Sequence, residues 1–112
     1  MKKIGFIGTG LMGYSMVKNL LKNGFKLKVF NRTIKKAKPL KKYGAVVSNS
    51  LGEVVKDVDV VITMLTDDQA VNKVLGNKEL LSNLKKKSTV IDMSSTKPGI
   101  AIYHSKKLKK KN

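Results

Sequence analysis

The glycines of "KKIGFIGTGLMGYSMVKNLLKNG", residues 2–24, constrain this chain more than any other feature. Gly8, Gly10 and Gly13 stand between a short apolar run, Lys3 to Ile7, and a stretch with helical periodicity. From Met12 onward, Gly13, Met16, Val17, Leu20 and Leu21 recur at the spacing of one helix face, and Gly24 follows where a C-cap glycine belongs. "KLKVFN", Lys26 to Asn31, then alternates and is rich in β-formers. Strand, helix and strand fit within the ~30 residues of a βαβ unit, whose crossover makes its two strands parallel neighbours.

In a G-x-G-x-x-G turn the first glycine makes the bend, the second admits a diphosphate to the backbone, and the third lets helix and strand pack closely. Gly8, Gly10 and Gly13 take those roles in order. The helix opening at Leu11 would then aim unpaired N–H groups at the phosphates. A Walker-type loop is disfavoured, because Gly13 is followed by Tyr14 and Ser15 and not by a Lys-Ser/Thr pair. Only turn geometry competes with this reading, and the surrounding strand and helix favour a dinucleotide.

The second strand ends in Asn31, Arg32 and Thr33, where a fold that prefers NAD places an acid to hold both ribose hydroxyls. No acid occurs before Glu53, while the first fifty-two residues carry twelve basic side chains. A guanidinium matches a 2′-phosphate, so NADP(H) is expected in preference to NAD(H). Arg32 could equally be one more exposed cation.

Further along, Thr33 can cap a helix reaching about Tyr43, with Pro39 as an interruption. "AVVS" at Ala45 to Ser48 is a third strand, and Ser50 with Glu53 has capping-box spacing. "DVVITML", Asp59 to Leu65, is a continuous apolar run that suits a strand covered on both faces. Thr66 and Gln69 repeat the capping spacing before another helix, and "STVIDM", Ser88 to Met93, is a fifth strand. Pro98 is placed to open a last helix containing His104, read as solvated, ahead of a Lys-rich tail. The expected fold is α/β, a Rossmann-type doubly wound parallel sheet over residues 1–98, with a terminal helix and tail over 99–112.

With 112 residues the chain holds one core. It contains no cysteine, which excludes disulfides and thiolate zinc sites. No stretch is apolar for long enough to cross a bilayer, so a cytoplasmic protein is expected. The net charge of +17 comes from dispersed lysines and not from lysines interleaved with aromatics, so nucleic acid is the disfavoured partner.

Four stretches, "IGFIGTGLMGYSMVKNLLKNG", "NRT", "ITMLTDDQAV" and "VIDMSSTKP", together resemble the cofactor-binding domain of the β-hydroxyacid dehydrogenases. That family includes 3-hydroxyisobutyrate dehydrogenase and the glyoxylate and succinic semialdehyde reductases. The resemblance implies a diphosphate turn at Gly8, Thr9, Gly10, Leu11, Met12 and Gly13, with Asn19 matching the family's Asn-Leu. It implies an NADP-type adenosine end at Asn31, Arg32 and Thr33, and a loop along the cofactor at Met64, Leu65 and Thr66. Many members have Pro where Thr66 stands. Ser94 would face a substrate carboxylate and Ser95 the nicotinamide end, although Ser94 to Thr96 also suit a helix cap.

Family members continue into a strand with a Gly-Gly substrate motif and an all-helical domain that supplies the catalytic lysine. This sequence has neither, and none of its lysines stands in the matching context. It is therefore expected to be the cofactor-binding part of such an oxidoreductase, truncated or split, without catalytic residues or a metal of its own. Its expected partners are a small hydroxy acid or semialdehyde and a helical domain. A non-catalytic dinucleotide-binding module is the first alternative, and a basic nucleic-acid-binding protein the second.

Overall fold

The computed structural model describes residues 3–8, 11–32, 34–65, 68–85, 88–93 and 101–104. Strand β1 (Lys3–Ile7) leads into helix α1 (Leu11–Lys22) and strand β2 (Lys26–Phe30), the βαβ unit expected from the glycine spacing. Gly24, at φ +90°, closes α1. Helix α2 (Ile34–Ala37) continues as a 3-10 helix (Lys38–Tyr43) instead of one α-helix. Pro39 explains the change, since its ring removes an N–H and crowds the preceding turn.

Next come β3 (Val46–Val47), α3 (Leu51–Val55), β4 (Val60–Thr63), α4 (Asp68–Leu75), α5 (Lys78–Asn83), β5 (Thr89–Asp92) and β6 (Ala101–His104). At α3 the anticipated cap forms, with the Glu53 N–H donating to Ser50 Oγ at 3.2 Å. Its other end is held by Lys28 of β2, whose ammonium donates to the carbonyls of Glu53 at 2.8 Å and Lys56 at 3.0 Å. Helix α5 was not expected from the sequence. Asn77 starts it by accepting the Leu80 N–H at 2.9 Å, and Leu80 anchors it in the core.

The sheet order is β3-β2-β1-β4-β5-β6. β1 to β5 are parallel throughout, the doubly wound arrangement. Ile4, Phe6, Val17, Leu27, Val29 and Leu40 form the core on one face, where α1 and the 3-10 helix pack. On the other, Ile7, Val54, Val55, Val58, Val61, Leu80 and Val90 pack beneath α3 and α5. Burial on both sides accounts for the unbroken apolar run of β4.

One expectation fails. Where a last helix containing His104 was expected within 99–112, residues 101–104 form a strand, antiparallel to β5, with Asp92 opposite Ala101 and Thr89 opposite His104. The intervening residues 93–100 are too few for a crossover to another parallel strand, which needs a dozen or more. Alanine, isoleucine and tyrosine can instead cover the open edge of β5. The Lys-rich tail lies outside the described residues.

Candidate functional site

Register brings the ends of four strands level. Ile7 pairs with Phe30 on one side and Thr63 on the other, and Thr63 pairs with Asp92. The backbone ladder runs one step further, with Gly8 donating to the Phe30 carbonyl at 2.9 Å, Met64 to Ile7 at 2.9 Å and Met93 to Thr63 at 2.8 Å. Asn31, Gly8, Met64 and Met93 therefore leave the sheet side by side. Between β1 and β4 the chain order reverses, which opens a crevice where such sheets hold ligands.

Gly8 needs to be glycine on two grounds. Its φ is +95°, and a Cβ would lie 2.2 Å from the Met64 carbonyl oxygen. The third glycine is constrained by packing alone: a Cβ on Gly13 would stand 2.5 Å from the Gly8 carbonyl oxygen and 3.2 Å from the Phe6 ring. The start of α1 is thus pressed against the end of β1, and Gly8 and Gly13 make a close-packed backbone cradle there. This cradle fits a diphosphate, which backbone N–H groups at a helix start can approach directly.

On the β2 side, Asn31 is half-buried and Arg32 exposed, with Lys35 exposed a turn further on. No carboxylate occurs in this part of the chain. Beyond the cradle, Met64 packs against the core beneath α1 and Leu65 against the opposite core, so the loop after β4 straddles the sheet end. Leu11 and Met12 lie in the first turn of α1. Thr9, Gly10, Thr33, Thr66, Ser94 and Ser95 lie outside the described residues.

Sequence reasoning treated Asp92 as an ordinary strand-end carboxylate. It is 6% exposed, and the fully buried Thr63 donates its hydroxyl to Asp92 Oδ1 at 2.9 Å. The available signal was an acid following the β-forming run "TVI", Thr89 to Ile91. A carboxylate is rarely buried without polar partners, and Thr63 is one of them here.

Fold and cradle together define a Rossmann-type dinucleotide-binding domain. The family model described as the NAD binding domain of 6-phosphogluconate dehydrogenase matches residues 3–112, and the chain belongs to that family. Glyoxylate/succinic semialdehyde reductase 1 of Arabidopsis thaliana is 43% identical over 94 residues, covering 83% of this chain and 32% of the relative. A solved 3-hydroxyisobutyrate dehydrogenase of Mycobacterium tuberculosis, with L-serine, superposes with TM-score 0.80 at 31% identity, covering 86% of this chain and 32% of that one. An imine reductase from Myxococcus stipitatus in complex with NADP+ gives TM-score 0.78 at 28% identity, covering 88% and 33%. Several relatives are named as oxidoreductases or dehydrogenases, and the chain spans about a third of the length of these curated relatives. Among the described residues, no helix is long and apolar enough to cross a membrane.

Proposed function

We propose that this chain binds NADP(H) in preference to NAD(H), as the cofactor-binding domain of an oxidoreductase for small β-hydroxy acids or their semialdehydes. The observation that carries the cofactor preference is a basic end to β2, Asn31-Arg32, beside a bare glycine cradle, with no carboxylate in the first fifty-two residues. Gly8 to Gly13 receive the diphosphate. Arg32, with Asn31 and Thr33, holds the 2′-phosphate, where a guanidinium can form paired charge-assisted hydrogen bonds. Met64, Leu65 and Thr66 line the cofactor, Ser95 meets its nicotinamide end, and Ser94 faces the substrate carboxylate.

When bound, the cofactor supplies or accepts the hydride, and the chain supplies binding and orientation. The catalytic lysine belongs to a helical partner domain, so this chain alone turns over no substrate. A cytoplasmic site of action belongs to the same proposal.

Calorimetric titration of the wild type and Arg32→Asp with NADPH and NADH tests the reading. Hydrogen bonds to charged groups contribute about 1.5–3 kcal/mol, so NADPH should weaken by roughly ten- to a hundredfold while NADH changes little. Equal weakening of both coenzymes, or of neither, would remove the role given to Arg32.

A further inference from the structure

We infer that the outer flank of α1 and the end of the 3-10 helix form a docking surface for an acidic segment of a protein partner, centred on Tyr43 and the ammoniums of Lys18 and Lys42. None of these residues belongs to the crevice described above, so the inference stands apart from the dinucleotide reading.

Two separate stretches of sequence make the surface. Tyr14 and Lys18 lie one turn apart on α1, and Lys42 and Tyr43 close the 3-10 helix that packs beside it. The rings of Tyr14 and Tyr43 meet edge to face, with centroids 6.4 Å apart. Lys18 Nζ stands over both, 4.8 Å from the centroid of Tyr43 and 5.8 Å from that of Tyr14, while Lys42 Nζ lies 5.3 Å from the Tyr43 centroid. Two cations are thus held at a ring that stays 40% exposed. In the sequence the lysines are dispersed and not interleaved with aromatics; folding brings these two to a tyrosine.

Charge decides what such a surface takes. No acid precedes Glu53, and neither Lys18 nor Lys42 has an ion-pair partner among the described residues. Glu53 and Glu79 belong to α3 and α5, on the other face of the sheet. Two ammoniums gathered at one ring repel each other, and an anion set between them relieves that repulsion. An exposed tyrosine rimmed by cations also suits a protein interface, where such rings serve as anchors. Carboxylates can pair with the ammoniums where they stand, whereas a nucleic-acid base can stack on Tyr43 only by displacing one. The acidic protein segment is therefore the occupant that fits.

The test titrates octaglutamate, and separately an oligothymidylate of equal charge, into the full chain at physiological ionic strength. The chain has no tryptophan, so tyrosine emission reports binding. Lys18→Met/Lys42→Met should weaken octaglutamate roughly three- to thirtyfold, the loss of two exposed ion pairs. Tyr43→Ala should weaken it about fivefold. The charge-matched Lys56→Met/Lys78→Met, on α3 and α5, should stay within about twofold of the wild type. Saturating octaglutamate should also move the Tyr43 midpoint up towards 10.0 in an ultraviolet titration of tyrosinate, because bound carboxylates offset the two charges that hold it down. Equal losses in the two lysine pairs would mean that net charge alone attracts the peptide, and would overturn the inference. Oligothymidylate binding that is tighter than octaglutamate binding and depends on Lys18, Lys42 and Tyr43 would overturn it in favour of a nucleic-acid partner.

Discussion

The half of the sheet built from β1, β2 and β3 and the half built from β4 and β5 differ in how they carry charge. All seven carboxylates of the chain lie from Glu53 onward, while the first fifty-two residues hold twelve bases and no acid. The first half meets the crevice with a bare glycine turn and an exposed guanidinium. The second half ends its two strands in Thr63 and Asp92, a hydrogen-bonded pair sealed from water. Anionic phosphates can be held by backbone and solvated cations, because neither requires a charge to be buried. A carboxylate sealed between strands costs free energy unless hydrogen bonds offset it, as donation from the Thr63 hydroxyl does here.

The largest test of this contrast is Gly8→Ala. With φ at +95° and the Met64 carbonyl oxygen 2.2 Å from the added Cβ, destabilisation of about 3 kcal/mol is expected in urea unfolding. A midpoint like that of the wild type would break the claim that the first half depends on backbone closeness.

Lys28→Met tests a smaller, purely structural use of charge in the same half. Losing the ammonium contacts to the carbonyls of Glu53 and Lys56 should cost about 1 kcal/mol of stability and leave cofactor affinity unchanged. An affinity change as large as that expected of Arg32→Asp would mean that the bases of this half act together on the ligand and not separately.

The smallest effect concerns the outer surface of α1. Lys18 Nζ stands 4.8 Å from the Tyr43 ring centroid and 5.8 Å from that of Tyr14, and Lys42 lies 5.3 Å from Tyr43. Partial loss of water pulls the Tyr43 hydroxyl up, but the charges of Lys18 and Lys42, with hydrogen bonding to Tyr14 and Lys18, hold its pKa below the ordinary 10.0. A depressed acid contributes stability above its unfolded value that is lost as pH falls through the folded one, so the effect belongs to the alkaline window below and around 10.0. Lys18→Met should move the Tyr43 midpoint upward in an ultraviolet titration of tyrosinate. An unmoved midpoint would show that solvent screens the crowded bases.

Legibility followed the range of the interactions. The glycine turn, the βαβ unit, the Gly24 cap and the Ser50–Glu53 cap depend on residues within a few positions of each other, and each could be read directly. Pro39 announced a break, although not the 3-10 form it took. Helix α5 was missed because its signal, one asparagine before a short run, is weak without Leu80 in the core. The resemblance to hydroxyacid dehydrogenases located the cofactor domain, and the matching family model spans residues 3–112. It did not single out Asp92, whose importance depends on burial and on Thr63, 29 positions away.

By itself, then, the order of amino acids determined a parallel α/β core opening on a glycine-rich turn, because those properties arise from local backbone conformation and periodicity. Tertiary structure decided the antiparallel strand on the edge of β5, the lysine of β2 that closes α3, and the sealing of Asp92 against Thr63. Each of these needs strands brought into register from distant parts of the chain, and a buried carboxylate finds its hydrogen-bond partner only once the fold has removed the water around it.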